Sequence, residues 1–170
     1  MSFMASKKVL PAAFLAAIAF TSPNLLAAQQ GNVESPIPAQ AADVGISKWS
    51  QGELERIIKA DDLKISPFRE DGVTYGTPTW IWCVEVDGDL YVRAYNGKAS
   101  SWYKAAVREK AGRIIAAGMT REVRFSAVEG SINDRIDEAY SAKYSSSPYL
   151  KDMIREQARG ATVKILPKGK

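Results

Sequence analysis

The sequence predicts an α+β domain: a small antiparallel β-barrel of about six short strands decorated by three or four helices. Three observations carry this. Short apolar or alternating runs are separated by hairpin signals at Asp87-Gly88 and Gly118-Met119. Helical periodicity is confined to brief segments that open on serine or proline. Strands follow strands locally instead of alternating with crossover helices, which excludes a doubly wound nucleotide fold.

Taken in order, Ser50-Gln51-Gly52-Glu53 matches a capping box, followed by Leu54, Ile57 and Ile58 at helical spacing, with Trp49 placed as a hydrophobic staple. Leu63 to Ser66 is a candidate strand ended by Pro67, and Phe68 to Pro78 is a polar loop. Trp80 to Val86 is apolar on both faces except at Glu85, the pattern of a central strand. Leu90 to Tyr95 alternates cleanly, with Leu90, Val92 and Ala94 on one face and Tyr91, Arg93 and Tyr95 on the other. Ser100 or Ser101 caps a helix from Trp102 to about Ala111, stopped by Gly112. Arg113–Ala117 and Thr120–Phe125 form a second hairpin. Ser131 opens a helix with an Ile132, Ile136, Ala139, Tyr140 stripe; Pro148 opens a short helix to about Gln157; Ala161 to Leu166 closes the chain as a strand.

Composition narrows the chemistry. There is no histidine, and the one cysteine, Cys83, sits between Trp82 and Val84. His-based triads, ordinary zinc sites and intramolecular disulfides are therefore excluded, and Cys83 reads as a small buried apolar residue. Asp61-Asp62 and Asp134, Asp137, Glu138 do not make a metal site, so no metal is expected.

The chain divides into three parts. Residues 1–28 read as a cleaved signal peptide: Lys7-Lys8, an apolar run from Val9 to Phe20, and small residues at Ala27-Ala28. The run is too short to anchor in a bilayer, so an exported, periplasmic or secreted protein without a stable membrane anchor is expected. Residues 29–46, rich in Ala, Gln, Pro and Gly, read as a flexible tether, and residues 47–170 as the folded domain. Loss of Lys7 and Lys8 leaves 21 basic against 19 acidic residues, a net charge of +2. That balance does not call for nucleic acid, and export separates the protein from it.

Eight Lys or Arg fall between Arg93 and Arg124 against only Glu109 and Glu122. Arg93 could clasp a phosphate with two parallel bonds, and Ser100 and Ser101 would offer hydroxyls beside free helix-start amides. The plainer roles are a stacked or Glu85-paired Arg93, a simple serine cap, and Trp80, Trp82 and Trp102 in the core.

The run Thr77-Pro78-Thr79-Trp80-Ile81-Trp82, then Asp87-Gly88-Asp89-Leu90-Tyr91-Val92, Asn96-Gly97 and Trp102-Tyr103 before a basic helix, resembles the split-barrel flavin-binding proteins. Within them it is similar to deazaflavin-dependent nitroreductases and pyridoxamine phosphate oxidase relatives. From Trp49 to Pro167 it resembles a bacterial family of unknown function, domain of unknown function 2255. The resemblance implies a split barrel, a phosphate-bearing cofactor (FMN or a deazaflavin) held by Arg93, Asn96, Gly97, Ser100, Ser101 and Trp102, hydride-transfer chemistry supplied by that cofactor's ring, and a homodimer. It designates no catalytic residue. The expectation is thus an exported split barrel binding a small anionic or aromatic ligand; the alternative is a noncatalytic interaction module without a cofactor.

Overall fold

A computed structural model describes residues 47–169. The leader and tether expectations fall on residues outside this range. Within it lie seven strands, five α-helices and one 3-10 turn, arranged as a curled antiparallel half-barrel. Helix α1 (Gln51–Ala60) opens on the expected capping box between Ser50 and Glu53. Trp49 and Leu54 lie in the same apolar core, and the Trp49 indole N–H is anchored on the Ile165 carbonyl (2.8 Å).

The strands are β1 (Lys64–Pro67), β2 (Thr79–Trp80), β3 (Cys83–Val86), β4 (Asp89–Arg93), β5 (Ala111–Ala116), β6 (Met119–Val128) and β7 (Thr162–Pro167). They pair antiparallel in the order β2-β1-β5-β6-β7-β4-β3. The edges β2 and β3 are consecutive in the chain, joined only by Ile81 and Trp82. Seven strands laid flat would hold their edges about 29 Å apart, whereas the step from Trp80 to Cys83 spans at most about 11 Å. The sheet therefore curls until its edges nearly meet, and the barrel is split along the line that Ile81 and Trp82 cross.

This corrects the expectation of one continuous strand from Trp80 to Val86. The run breaks because its two halves belong to opposite edges: the Ile81 N–H bonds the Leu63 carbonyl (3.0 Å), while Cys83 pairs with Val92. The Asp87-Gly88 turn has positive φ at both residues (56° and 79°), as a type I′ hairpin requires.

Helix α2 (Ser101–Glu109) stops at Lys110, which takes the left-handed conformation. Gly112 is not its terminator but a β5 residue pressed against β1. A Cβ there would lie 2.6 Å from both the Pro67 Cα and the Ser66 carbonyl oxygen. Helices α3 (Ile132–Lys143), α4 (Leu150–Met153) and α5 (Glu156–Arg159) complete the domain; the last two replace the single helix expected after Pro148.

The alternation in β4 separates two cores. Leu90, Val92 and Ala94 face the barrel interior with Ile65, Ile114, Val123 and Ile165. Tyr91 faces outward into a second cluster under α3, with Val84, Val86, Ile136 and Tyr140. Arg93 follows Tyr91 on that outer face, where α3 covers it.

Candidate functional site

A cleft of about 460 Å³ opens at the split of the barrel, within the range of ~300–1,000 Å³ typical of small-molecule sites. Thr79, Trp80, Ile81 and Trp82 supply one wall from the β2–β3 junction. Tyr95, Asn96, Ser100, Ser101 and Trp102 supply the opposite wall from the segment between β4 and α2; Tyr149 and Met153 approach from α4, and Arg93 lies at the base.

The lining is dominated by aromatic rings. Trp80 is 53% exposed and Tyr149 59%, with Tyr95 also in the open. These three are held rather than loose. The Trp80 indole N–H bonds the Asp61 carbonyl (3.2 Å), the Tyr95 hydroxyl donates to Asp152 (2.6 Å), and Tyr95 and Tyr149 meet edge to face with centroids 6.4 Å apart. Trp80 thus departs from the expected core position.

Trp82 is braced from behind. Its ring stacks on Tyr144 at 4.0 Å with planes 7° apart, and the Tyr144 hydroxyl donates to Asp61 Oδ1 (2.5 Å). Lys143 Nζ bonds the same carboxylate oxygen (2.7 Å), and the Cys83 N–H bonds the Tyr144 oxygen (3.2 Å). Burial and the hydrogen bond to Asp61 push the Tyr144 phenol upward, so it stays protonated as a donor. Cys83 is fully buried and free, and desolvation pushes its thiol up to about 11. It is a packing residue, not a nucleophile.

Arg93 does not hold out a free fork. Its Nε–H bonds Thr162 Oγ1 (3.0 Å), Nη1 bonds Asp137 and the Met153 carbonyl (3.0 Å), and Nη2 bonds the Asn133 carbonyl and side-chain oxygens (3.3 and 3.0 Å). All five guanidinium donors are used, so none remains to clasp a phosphate. The expected phosphate role of Arg93 is corrected to an internal one. Its partner is Asp137 on α3 and not Glu85, which is exposed and bonds the Gly88 N–H (2.7 Å).

The other expected site residues divide. Asn96, Ser100, Ser101 and Trp102 line the cleft; Gly97 does not. Its φ of +64° turns the chain, and a Cβ there would lie 2.8 Å from the Gln157 carbonyl oxygen, so close packing on α5 accounts for glycine. Ser100 occupies the N-cap position of α2, but its hydroxyl makes no capping bond. The start of α2 therefore has no side-chain cap, and its residues Ser100, Ser101 and Trp102 line the cleft.

The cationic lip suggested by the sequence does not assemble. Apart from Arg93, none of the eight clustered cations lines this cleft. Lys98 lies 3.7 Å from Glu129, Arg108 bonds Glu109, Arg121 pairs with Glu53, and Arg113 stacks over Tyr75 (4.1 Å). Alternation along strands sends neighbouring charges to different faces. Among the described residues no group of carboxylates or thiols could hold a metal, and no helix is long and apolar enough to cross a membrane.

Sequence reasoning missed Tyr95, Tyr149 and Met153. Tyr95 was legible only as a neighbour of Arg93, and Tyr149 and Met153 reach the cleft through the fold alone.

Fold and site together define a small curled half-barrel with an aromatic cleft at its open seam. The chain belongs to the family described as "Uncharacterized protein conserved in bacteria (DUF2255)", which it matches over residues 53–165. Among curated proteins none matches. Among solved structures it is similar to the conserved hypothetical protein Rv2991 from Mycobacterium tuberculosis, with 13% identity and a TM-score of 0.44, covering 72% of this chain and 81% of that one.

Proposed function

We propose that the cleft binds a small planar aromatic ligand by stacking, and that a flavin-type ring, FMN or a deazaflavin, is the class to test first. One observation carries this: of the five large apolar side chains that stand exposed among the described residues, Trp80, Tyr95 and Tyr149 all line this one cleft. Leaving three large rings in water is unfavourable by roughly 25 cal/mol per Å² of apolar surface, and a ligand sandwiched between them would recover much of it.

The residues fit the ring half of such a cofactor. Trp80, Trp82 and Trp102 offer faces, while Ser100, Ser101 and Asn96 offer polar atoms at the margin. A bound flavin would supply hydride transfer through its own ring; the protein's part is to hold and shield it.

The test is titration of the purified protein with FMN and with a deazaflavin, following both cofactor and tryptophan fluorescence. Saturable quenching of both is expected, weakened about three- to tenfold by Trp80→Ala. No quenching with either cofactor would remove the flavin reading.

A second reading, a noncatalytic interaction module, is favoured by one observation. The Arg93 edge is filled by the protein's own side chains, while Trp80 and Tyr149 protrude. On that reading the rings grip a protein surface, and free aromatic compounds fail to compete for it. The leader at residues 1–28 leads us to place either activity outside the cytoplasm. Cell fractionation showing the protein retained uncleaved in the cytosol would oppose that placement.

A further inference from the structure

Lys64, Arg113, Arg124 and Lys164 stand on the outer face of the sheet, because their strand neighbours Ile65, Ile114, Val123 and Ile165 face the barrel interior. They come from β1, β5, β6 and β7, which are consecutive in the sheet. The register staggers them evenly. Lys64 lies across from Ile115, two residues along from Arg113; Arg113 lies across from Glu122, two along from Arg124; Arg124 lies across from Leu166, two along from Lys164. One strand over and two residues along is a step of about 8 Å, so the four cations draw one diagonal stripe about 25 Å long.

Most of this charge is unpaired. Lys164 bonds Asp89 (2.5 Å), but Lys64, Arg113 and Arg124 form no ion pair among the described residues. Glu122, the one carboxylate on these four strands, accepts from the Tyr75 hydroxyl instead (2.6 Å). Arg113 is placed over the Tyr75 ring (4.1 Å), with its Nε buried and without a hydrogen-bond partner. The packing fixes this guanidinium without neutralising it.

We propose that the stripe is a docking track for a flexible linear polyanion, a polyol-phosphate polymer of the cell envelope that carries no bases. Charge complementarity selects an anion, and arginine forks favour phosphate oxygens. The outer face of a curled sheet is convex and the stripe is one charge wide, so a chain can follow it where a flat bilayer touches only part. A second copy is opposed, since an isologous contact would lay the stripe on itself. Single-stranded nucleic acid binds through bare rings on which its bases stack. Tyr75, the ring on this path, is already stacked with Phe68 (4.8 Å) and covered by Arg113. Trp80 stands across from Lys64 beyond the end of the stripe and belongs to the cleft. The leader reading places the protein among envelope polymers and away from nucleic acid. The track lies outside the cleft and stands whether or not a flavin binds there.

The full chain is titrated with poly(glycerol phosphate), with a single-stranded oligothymidylate of matched charge, and with vesicles of equimolar phosphatidylglycerol and phosphatidylcholine, each at several salt concentrations. The polymer is expected to bind tightest, more weakly as salt rises. The triple variant Lys64→Gln, Arg113→Gln, Arg124→Gln should lose at least about tenfold in affinity and flatten the salt dependence by about 2, near 0.7 for each phosphate contact removed. Lys64→Gln with Arg124→Gln spares the Arg113–Tyr75 stack and should show about two thirds of that flattening, with a native urea midpoint. Lys59→Gln, Lys104→Gln and Lys151→Gln together remove the same charge at exposed positions off the stripe and should change affinity by less than about twofold. Four results overturn the proposal: no polymer binding at low salt, equal losses in the two triple variants, tighter binding of the oligothymidylate, or binding to the vesicles alone.

Discussion

Arg93 and Asp137 form an ion pair closed between the outer face of β4 and helix α3. The Arg93 side chain has no exposed surface and Asp137 is largely covered. Asp137 is also held by Arg159, so one carboxylate ties β4, α3 and α5 together. The Arg93 guanidinium lies 5.2 Å from the centre of the Tyr140 ring, which completes its enclosure. Removing it would take that donor from Thr162 Oγ1 and the Met153 carbonyl, while Asn133 Oδ1 would keep only the Thr162 hydroxyl (2.8 Å).

Arg93→Ala should lower the unfolding free energy by about 3–5 kcal/mol, the usual cost of breaking a buried charged network on one side. Arg93→Lys should be nearly as damaging, because an ammonium offers three donors where five are used. Urea denaturation measures both. An unchanged midpoint for either variant would show that the network does not hold the domain together.

Cys83 sets a pH dependence whose sign follows from burial. Desolvation raises its thiol from 9.0 to about 11, outweighing the nearby Lys143 ammonium 3.8 Å away. In the unfolded chain the thiol ionises first, so above pH 9 the unfolded state binds fewer protons and stability falls as pH rises. The loss runs from about pH 9 to about 11 at up to about 1.4 kcal/mol per pH unit. Tyr140 and Tyr144 are also raised by burial and act in the same direction at higher pH. Cys83→Ala isolates the thiol: its urea midpoint should decline less steeply across this window than that of the native protein. Parallel declines would mean the thiol does not contribute.

Gly112 should tolerate no side chain. Its placement 2.6 Å, at the absent Cβ, from both Pro67 Cα and the Ser66 carbonyl leaves only backbone to yield. Gly112→Ala is expected to cost about 1–3 kcal/mol through displacement of β1 from β5. Gly88→Ala is the contrast, since a Cβ there meets nothing within 4 Å and only the positive φ opposes it. Thermal unfolding of the pair should rank Gly112→Ala as the less stable; the reverse order would refute the close approach.

What the sequence made legible was local. The Ser50 capping box, the Asp87-Gly88 hairpin, the two faces of β4 and the α3 stripe each depend on residues within a few positions of one another, and each formed as its pattern predicts. The α+β half-barrel followed from their order. What stayed hidden depends on partners distant in the chain. Nothing near Trp80 says that its strand ends there, because the break arises from closure of a seven-stranded sheet. Nothing near Arg93 reveals Asp137, 44 residues on, and nothing near Gly112 reveals the Pro67 backbone beneath it. Asn96, Ser100, Ser101 and Trp102, named from the resemblance, come together on one wall of the cleft because they follow β4 directly; Tyr149 and Met153 needed the fold.

Tyr144 is placed to decide how rigidly the cleft presents Trp82. Its ring forms the back of the Trp82 stack, while its hydroxyl reaches Asp61, which sits at the C-terminal cap of α1 in the left-handed conformation. Tyr144→Phe keeps the ring and deletes the hydroxyl, leaving the Cys83 N–H without its acceptor but Asp61 still bonded to Lys143. A loss of about 1–2 kcal/mol is expected, with little change in ligand affinity. Tyr144→Ala removes the ring as well, at about 3–5 kcal/mol, and frees Trp82 to tilt. Its signature should be a shifted tryptophan emission together with weaker FMN binding, measured well below the unfolding midpoint. If Tyr144→Ala binds FMN as tightly as Tyr144→Phe does, the stack is packing alone and Trp82 is not a wall that the ligand uses.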